Sequence, residues 1–296
     1  MEQKELDAYR KAGKIASEVR EWSREIVSPD AKVLDVAEKI EAKIREMGAE
    51  IAFPVNVCIN DVTAHYTPKY NDETRISKTD VVSIDIGAHV DGYIADTAYT
   101  LDFSGKYEDM LKANQEALVG AIALIRPGAL VTEIGKSVHA TLKAAGYKPI
   151  ENLTGHEVKQ YDLHAGLAIP NIEVPHKLRI QEGMALAIEP FATDGYGRVI
   201  ESKHAEIFSL QEIRPTRNKD ARSIISQVTD RQSLPFAERW YAKTIPPLRL
   251  DLAMRELVSN GTLRAYPILH EKEKGIVSQL EHTVIVTKDG CEVTTK

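Results

Sequence analysis

The sequence predicts a mixed fold of the α+β class, an antiparallel sheet body interrupted by one helical insertion. Three observations carry this expectation. First, residues 3–26, 31–47, about 108–125 and about 130–145 place apolar side chains at helical spacing, in two pairs. Second, each pair is followed by short apolar runs bounded by Gly, Pro, Asn or Asp, which mark strands. Third, residues 209–266 return to helical periodicity and carry their own turn at Asn260-Gly261.

The elements follow in order. Leu34, Val36, Ile40 and Ile44 share one face of the second helix, and Ser28-Pro29-Asp30 breaks the chain before it. "AFPVNVCIN" (52–60) reads as a strand, followed by a polar loop. "DVVSIDIGAHVDGYIADTAYT" (80–100) reads as two strands around Asp91-Gly92, a strong signal for a two-residue hairpin loop. The next two helices end at "RPG" and at Gly146. "MALAIEPFA" (184–192) is a strand, and "SQLEHTVIVTKDGCEVTT" (278–295) is strand, Asp-Gly turn, strand.

Composition narrows the function classes. The net charge is −6, with no overall basic excess to favour nucleic acid, so DNA is not an expected partner. Residues 212–266 run the other way, with ten Arg/Lys against six Asp/Glu. No run approaches the ~18 apolar residues of a membrane span, and the charged, helix-patterned start lacks the apolar core of a secretion signal. Cys58 and Cys291 cannot build a disulfide framework or a zinc cluster. A cytoplasmic protein with reduced thiols is expected.

The chemistry lies in four carboxylates set in apolar strands. With Asp91-Gly92 as the loop, Asp85 faces Ala98 and Asp96 lies diagonally beside it. With Val90-Asp91 as the loop, Asp85 faces Asp96 directly. Either register puts both acids on one sheet face. Glu189 interrupts "ALAIEPF" and Glu281 interrupts "LEHTVIV" in the same way. One such acid fits an edge position or an internal salt bridge. Four converging would repel one another, and two divalent cations would offset their charge. Histidines that could complete such a site are His156 and His164 in "TGHEVKQYDLHAG", and His65 in "TAHYTP". "HEVKQ" is not the zinc-protease H-E-x-x-H, because Gln160 stands at its fifth position. Leu130 stands where a phosphate loop would need glycine, and neither a G-x-S-x-G elbow nor a strand-borne G-x-G-x-x-G is present.

From about residue 3 to the end the chain resembles the type II methionine aminopeptidases of the pita-bread fold, in their short archaeal-like form. The strings that carry the resemblance are "FPVNVCIN", "AHYTP", "DVVSIDIGAHVDGYIADTAYT", "NLTGHEVKQYDLHAG", "AIEPFAT", "LPFAERW" and "QLEHTVIV". The resemblance implies a pita-bread (creatinase/aminopeptidase-like) catalytic domain over 1–208 and 267–296, with an inserted helical, winged-helix-like subdomain over 209–266. It also implies two divalent metal ions (Co, Mn, Fe(II) or Zn). Asp85 would be bidentate to one ion, Asp96 and Glu281 would bridge both, and His156 and Glu189 would complete the coordination of the first. His164 would contact the substrate amide as the catalytic histidine and His65 would be the second pocket histidine, with Phe53 and Tyr266 lining the methionine pocket. Glu189 would also carry a proton. Thr154 stands where many relatives have Asn or Ser, and His204 lies in a variable stretch near these pocket candidates. The activity implied is removal of the initiator methionine from nascent polypeptide N-termini, with a small second residue preferred. A monomer is expected; the net-basic insert reads first as a solvated helical face, with transient ribosome contact as the weaker reading. The rival readings are a proline-selective aminopeptidase, normally preceded by a large extra domain, and a metal-free binding protein of the same fold, which would have lost ligands.

Overall fold

The computed structural model describes residues 1–296. The first half of the chain forms helices α1 (Gln3–Ser23) and α2 (Val33–Glu46). Strands β1 (Glu50–Ile59), β2 (Val62–Ala64), β3 (Val81–Val90) and β4 (Tyr93–Asp102) follow. The second half begins again with helices α3 (Glu108–Ala123) and α4 (Val131–Ala144). After them come β5 (Lys148–Pro149), β6 (Thr154–Val158), β7 (Ala168–Pro170), β8 (Ala185–Ile188), β9 (Phe191–Thr193) and β10 (Val199–Leu210). Helix α5 (Lys219–Val228), β11 (Phe236–Ala237) and helix α6 (Pro247–Ser259) come next. Strands β12 (Leu263–Glu271), β13 (Val277–Gln279), β14 (His282–Val286) and β15 (Cys291–Val293) close the chain. No helix is long and apolar enough to cross a membrane.

The two halves repeat one plan, a helix pair laid on an antiparallel sheet. Helices α1 and α2 bury Val19 and Ile40 against Ile84 and Tyr99 of the β1-β3-β4 sheet. Helices α3 and α4 bury Leu118 and Ile134 against Leu186 and Val284 of the β15-β14-β8-β6-β7 sheet. Burying such side chains is worth ~1.5–3 kcal/mol each and drives each layer together.

The β3–β4 hairpin adopts the first of the two registers open from sequence. Asp91 and Gly92 both have positive φ (52° and 85°), as a two-residue type I′ turn requires. Asp85 therefore faces Ala98 and Gly87 faces Asp96. Gly87 has a second reason to be glycine, since a Cβ there would lie 2.2 Å from the Phe53 ring. Strand β1 begins two residues before its predicted start and ends one residue before its predicted end. Its pairing with β3 shifts register between Ile51 and Asn56, where Pro54 offers no N–H to the ladder. The predicted strand 184–192 is split. Glu189 and Pro190 separate β8 from β9, again because proline cannot donate.

A seam of threonines stitches the two halves together. Ala98 and Glu281 exchange backbone hydrogen bonds (3.4 and 3.1 Å). The Thr283 hydroxyl accepts from Asp96 N and donates to Asp96 O, each at 2.8 Å. The hydroxyls of Thr97 and Thr100 donate to the carbonyls of Glu281 (2.9 Å) and Gln279 (2.7 Å). The carboxylate-bearing strands of both halves are thereby held side by side.

Within 209–266 the α-helices are confined to α5 and α6, which pack Ile224 and Leu257 around Phe236. Ser209–Leu210 and Leu263–Tyr266 belong instead to the sheet ladder of β10 and β12, so Tyr266 stands on a strand. A buried ion pair latches this segment to the body. The Arg239 guanidinium donates to Glu41 Oε1 of α2 and, at 2.5 Å, to Thr67 Oγ1. Glu41 also accepts from Trp240 Nε1 (2.9 Å) and Val55 N (3.2 Å). Both ion-pair partners are buried. Replacing Glu41 with Ala would strand the guanidinium without its carboxylate. The expected cost is about 3–5 kcal/mol, read as a lower denaturant midpoint; a midpoint equal to that of the unaltered protein would remove the latch from the account of stability.

Candidate metal centre and active site

A cavity of about 230 Å³ opens where the seam meets the β10–β12 ladder. All nine residues singled out in sequence line it. Asp85, Asp96, His156, Glu189 and Glu281 gather on one side, and Phe53, His65, His164 and Tyr266 complete the walls. His204 does not line it; it faces a separate groove with Lys69 and Glu206.

Each acid arrives by a different device. Asp85 and Asp96 come from the hairpin register. Glu281 stands between β13 and β14, beside the seam. Glu189 is turned inward by the Pro190 break. Asn171 Nδ2 donates to Glu189 O (3.2 Å) and Asn114 Nδ2 to Pro190 O (3.0 Å), which holds that break in place. His156 comes from β6, paired with Ala187 of β8 on one side and Ala168 of β7 on the other. Its Nε2 lies 3.7 Å from Asp96 Oδ2 and 3.5 Å from Glu189 Oε1.

The electrostatics of the protein alone are unfavourable. Burial first, then the charges of Glu281 and Asp85, push the Asp96 carboxyl well above its ordinary range. Burial, then Glu189 and Asp85, do the same to Glu281, and burial, then Asp96 and Asp85, to Glu189. Asp85 is pushed up to about 6 by burial, against a hydrogen bond from Gln279. Burial, with His164 beside it, pushes His156 down to about 3, so imidazolium supplies no compensating charge. No Lys or Arg lines the cavity. Asp85 Oδ1, Asp96 Oδ1 and Glu281 Oε1 are buried without a hydrogen-bond partner. Buried acceptors that carry charge and lack donors call for cations.

The donor set fits metal. One ligand atom each of Asp96, His156 and Glu281 fall within 4.8 Å of one another, the spread of a common coordination shell. Four carboxylates and one imidazole form an oxygen-rich set suited to Mn, Fe(II) or Co. Gln279, which the sequence reading passed over, donates from Nε2 to Asp85 Oδ2 (3.2 Å) and Glu281 Oε2 (3.4 Å). It aims two acids at once, and its signal was available: it precedes Glu281 by two residues, the period of a strand face. Asn56, opposite Asp85 in the β1–β3 pairing, was also missed, because the register shifts near Pro54 hide that pairing from sequence.

The histidines near the mouth are neutral donors and acceptors. His65 has a left-handed backbone (φ 63°), and its Nδ1 sits 3.2 Å from Pro267 O. A carbonyl only accepts, so Nδ1 carries the proton and Nε2 keeps a lone pair. Burial pushes the pKa of His65 down to about 4. His164 remains solvent-accessible at the mouth, yet the protein packed around it lowers its pKa, chiefly by desolvation. Its ring centroid lies 4.5 Å from that of His156.

Comparison with known proteins agrees with this geometry. The model of metallopeptidase family M24 matches residues 7–288. The methionine aminopeptidase of Methanocaldococcus jannaschii is 45% identical over 99% of this chain and 100% of its own. That of Archaeoglobus fulgidus is 46% identical over 96% of each. Among solved structures, a thermophilic Arx1 superposes with TM-score 0.85 at 19% identity, over 99% of this chain and 91% of its own. The Thermotoga maritima methionine aminopeptidase superposes with TM-score 0.73 at 21% identity, over 100% and 98%. These structural likenesses show the pita-bread fold alone. Taken with the sequence matches, which run the length of the chain, they place it: the chain belongs to metallopeptidase family M24, among the methionine aminopeptidases.

Proposed function

We propose that this chain removes the initiator methionine from nascent proteins and peptides with a small second residue, by hydrolysis assisted by two divalent metal ions. The observation that carries the reading is the convergence of four carboxylates and His156, three of whose carboxylate oxygens are buried without a donor, on one cavity with apolar walls. Asp85, Asp96, His156, Glu189 and Glu281 would together hold the ions, with Asp96 and Glu281 central to the cluster. When bound, the metals supply Lewis-acid polarisation of the scissile carbonyl and an acidified water at neutral pH.

The protein's own groups account for the rest. The floor formed by these ligands, once loaded with metal, would accept the lone pair of a free α-amine, which an internal residue does not possess. Phe53, Leu163, Phe191 and Ile207 offer an apolar wall to an unbranched, adaptable methionine side chain. Glu189 faces the cavity and moves a proton from the attacking water to the leaving amine, a role worth ~10²–10⁴ in rate. His164 hydrogen-bonds the carbonyl oxygen as charge builds on it. His65, with its lone pair on Nε2, accepts from the amide N–H of the bond to be cut. The preference for a small second residue is supported by the resemblance to the type II enzymes.

The test is hydrolysis of Met-Ala-Ser and Pro-Ala-Ser by chelator-stripped protein, before and after addition of Mn(II) or Co(II). Release of methionine only, only with metal, and saturation at two ions per chain are expected. Release of proline would keep the fold and reject the substrate. Well-folded protein inert with every metal would point to a binding role.

A further inference from the structure

Strand β12 carries Tyr266 into the cavity wall and, two residues earlier on the same strand face, Arg264. Arg264 is exposed, and its guanidinium lies over the Tyr266 ring, 5.1 Å from the centroid. Tyr266 is in turn near-parallel to His164 (ring centroids 6.5 Å) and edge-on to His65 (5.7 Å). The cation therefore stands one ring away from both mouth histidines. The Tyr266 ring beneath it is held from behind. Arg264 pairs in register with Ser209, whose hydroxyl lies 3.2 Å from the Tyr266 hydroxyl. No carboxylate of the chain pairs with this guanidinium; its contact is the aromatic ring.

A peptide placed with its amine at the carboxylate floor and its first side chain against the apolar wall must leave past the accessible side of the site. That side is marked by His164 and, beyond Tyr266, by Arg264. We infer that Arg264 is a specificity-determining residue, which engages carboxylate groups of the substrate a few residues downstream of the cleaved bond. The inference rests on the reading that a peptide N-terminus is cleaved here, and it adds a substrate class: N-termini whose following residues are acidic. The opposing charge that reaches His164 is that of Asp162, which would repel the same groups, so the experiment must isolate the cation.

The experiment compares kcat/KM of the Mn(II)-loaded enzyme on three amidated peptides: Met-Ala-Glu-Glu, Met-Ala-Gln-Gln and Met-Ala-Lys-Lys. A free-acid Met-Ala-Gln-Gln separates a terminal carboxylate from acidic side chains. The acidic peptide is expected to exceed the neutral one by about 3–5-fold, the range of a partly solvated ion pair, and the basic one to fall below it. The difference should sit in KM, since the contact is the same before and during the reaction, and should shrink as salt screens it. Arg264→Lys should keep the order, Arg264→Ala should bring the acidic-to-basic ratio toward one, and Arg264→Glu should reverse it. A ratio that survives Arg264→Ala while all rates fall together would show that the guanidinium only props Tyr266, and would overturn the inference. Equal cleavage of all three peptides by the unaltered enzyme would overturn it too, while leaving the proposed function standing. Failure to cleave any of them would remove both.

Discussion

Asp96→Ala should cost at least about 10³-fold in activity, the equivalent of about 4 kcal/mol of metal-assisted stabilisation. It should also lower the metal content of the purified protein. Asp96 is the acid nearest the centre of the cluster: it groups with His156 and Glu281, and its carboxyl responds to both Glu281 and Asp85. The variant should fold, because the backbone of Asp96 is held by Thr283 whatever the side chain. A second readout separates metal loss from damage. In metal-free protein the ionised acids oppose folding, so the variant without metal should melt higher than the unaltered chain without metal. The sign follows from linkage. A carboxyl whose folded pKa is raised binds more protons when folded than when unfolded, so stability declines as pH rises from the ordinary value through the folded one. For Asp85 that window runs from 3.8 to about 6, with the other three acids extending it upward. Metal-free protein should therefore lose stability as pH rises across this window. Added metal should reverse the loss in the unaltered chain and do so poorly in the variant. Full metal loading of Asp96→Ala would remove Asp96 from the ligand set.

His164→Ala should separate chemistry from metal binding. The side chain stands at the accessible mouth, beside His156 but outside the cluster that holds the acids. Loss of one preorganised donor to a developing oxyanion costs about 10²–10³ in kcat. KM and metal content should change little. The same loss accompanied by release of metal would assign His164 to the ligands and not to the substrate.

Much of the site was legible because it breaks local rules. Asp85, Asp96, Glu189 and Glu281 each contradict an apolar strand pattern, and the Asp-Gly turn set the relation of the first two. What escaped the sequence reading depended on distant or irregular pairings. The split of β8 from β9 needed Pro190 to be read as a strand breaker, not as a strand residue. Helical periodicity across 209–266 concealed that Leu263–Glu271 pairs with β10, because a short apolar run does not declare which element it joins. The Glu41–Arg239 latch joins residues 198 apart, and nothing local announces such a pair. Gln279 looks like an ordinary polar strand residue until its two carboxylate partners are placed around it.

The threonine seam also bears on how the protein is made. Asp85 and Asp96 leave the ribosome long before Glu281, and the seam contacts that align them span 187 residues at Thr283. Closing so long a loop is slow, since its entropy must be spent before any contact forms. A polypeptide interrupted before β13 would hold three of the acids and neither Gln279 nor the strand that positions the fourth. Helix α1 meets the same late strands: Arg20 donates to Thr295 O at 2.7 Å and Ser17 to Lys296 O at 2.9 Å. The earliest helix thus waits for the latest residues. In refolding experiments, hydrolytic competence should emerge with the final phase, after each half has acquired its own helices and hairpins.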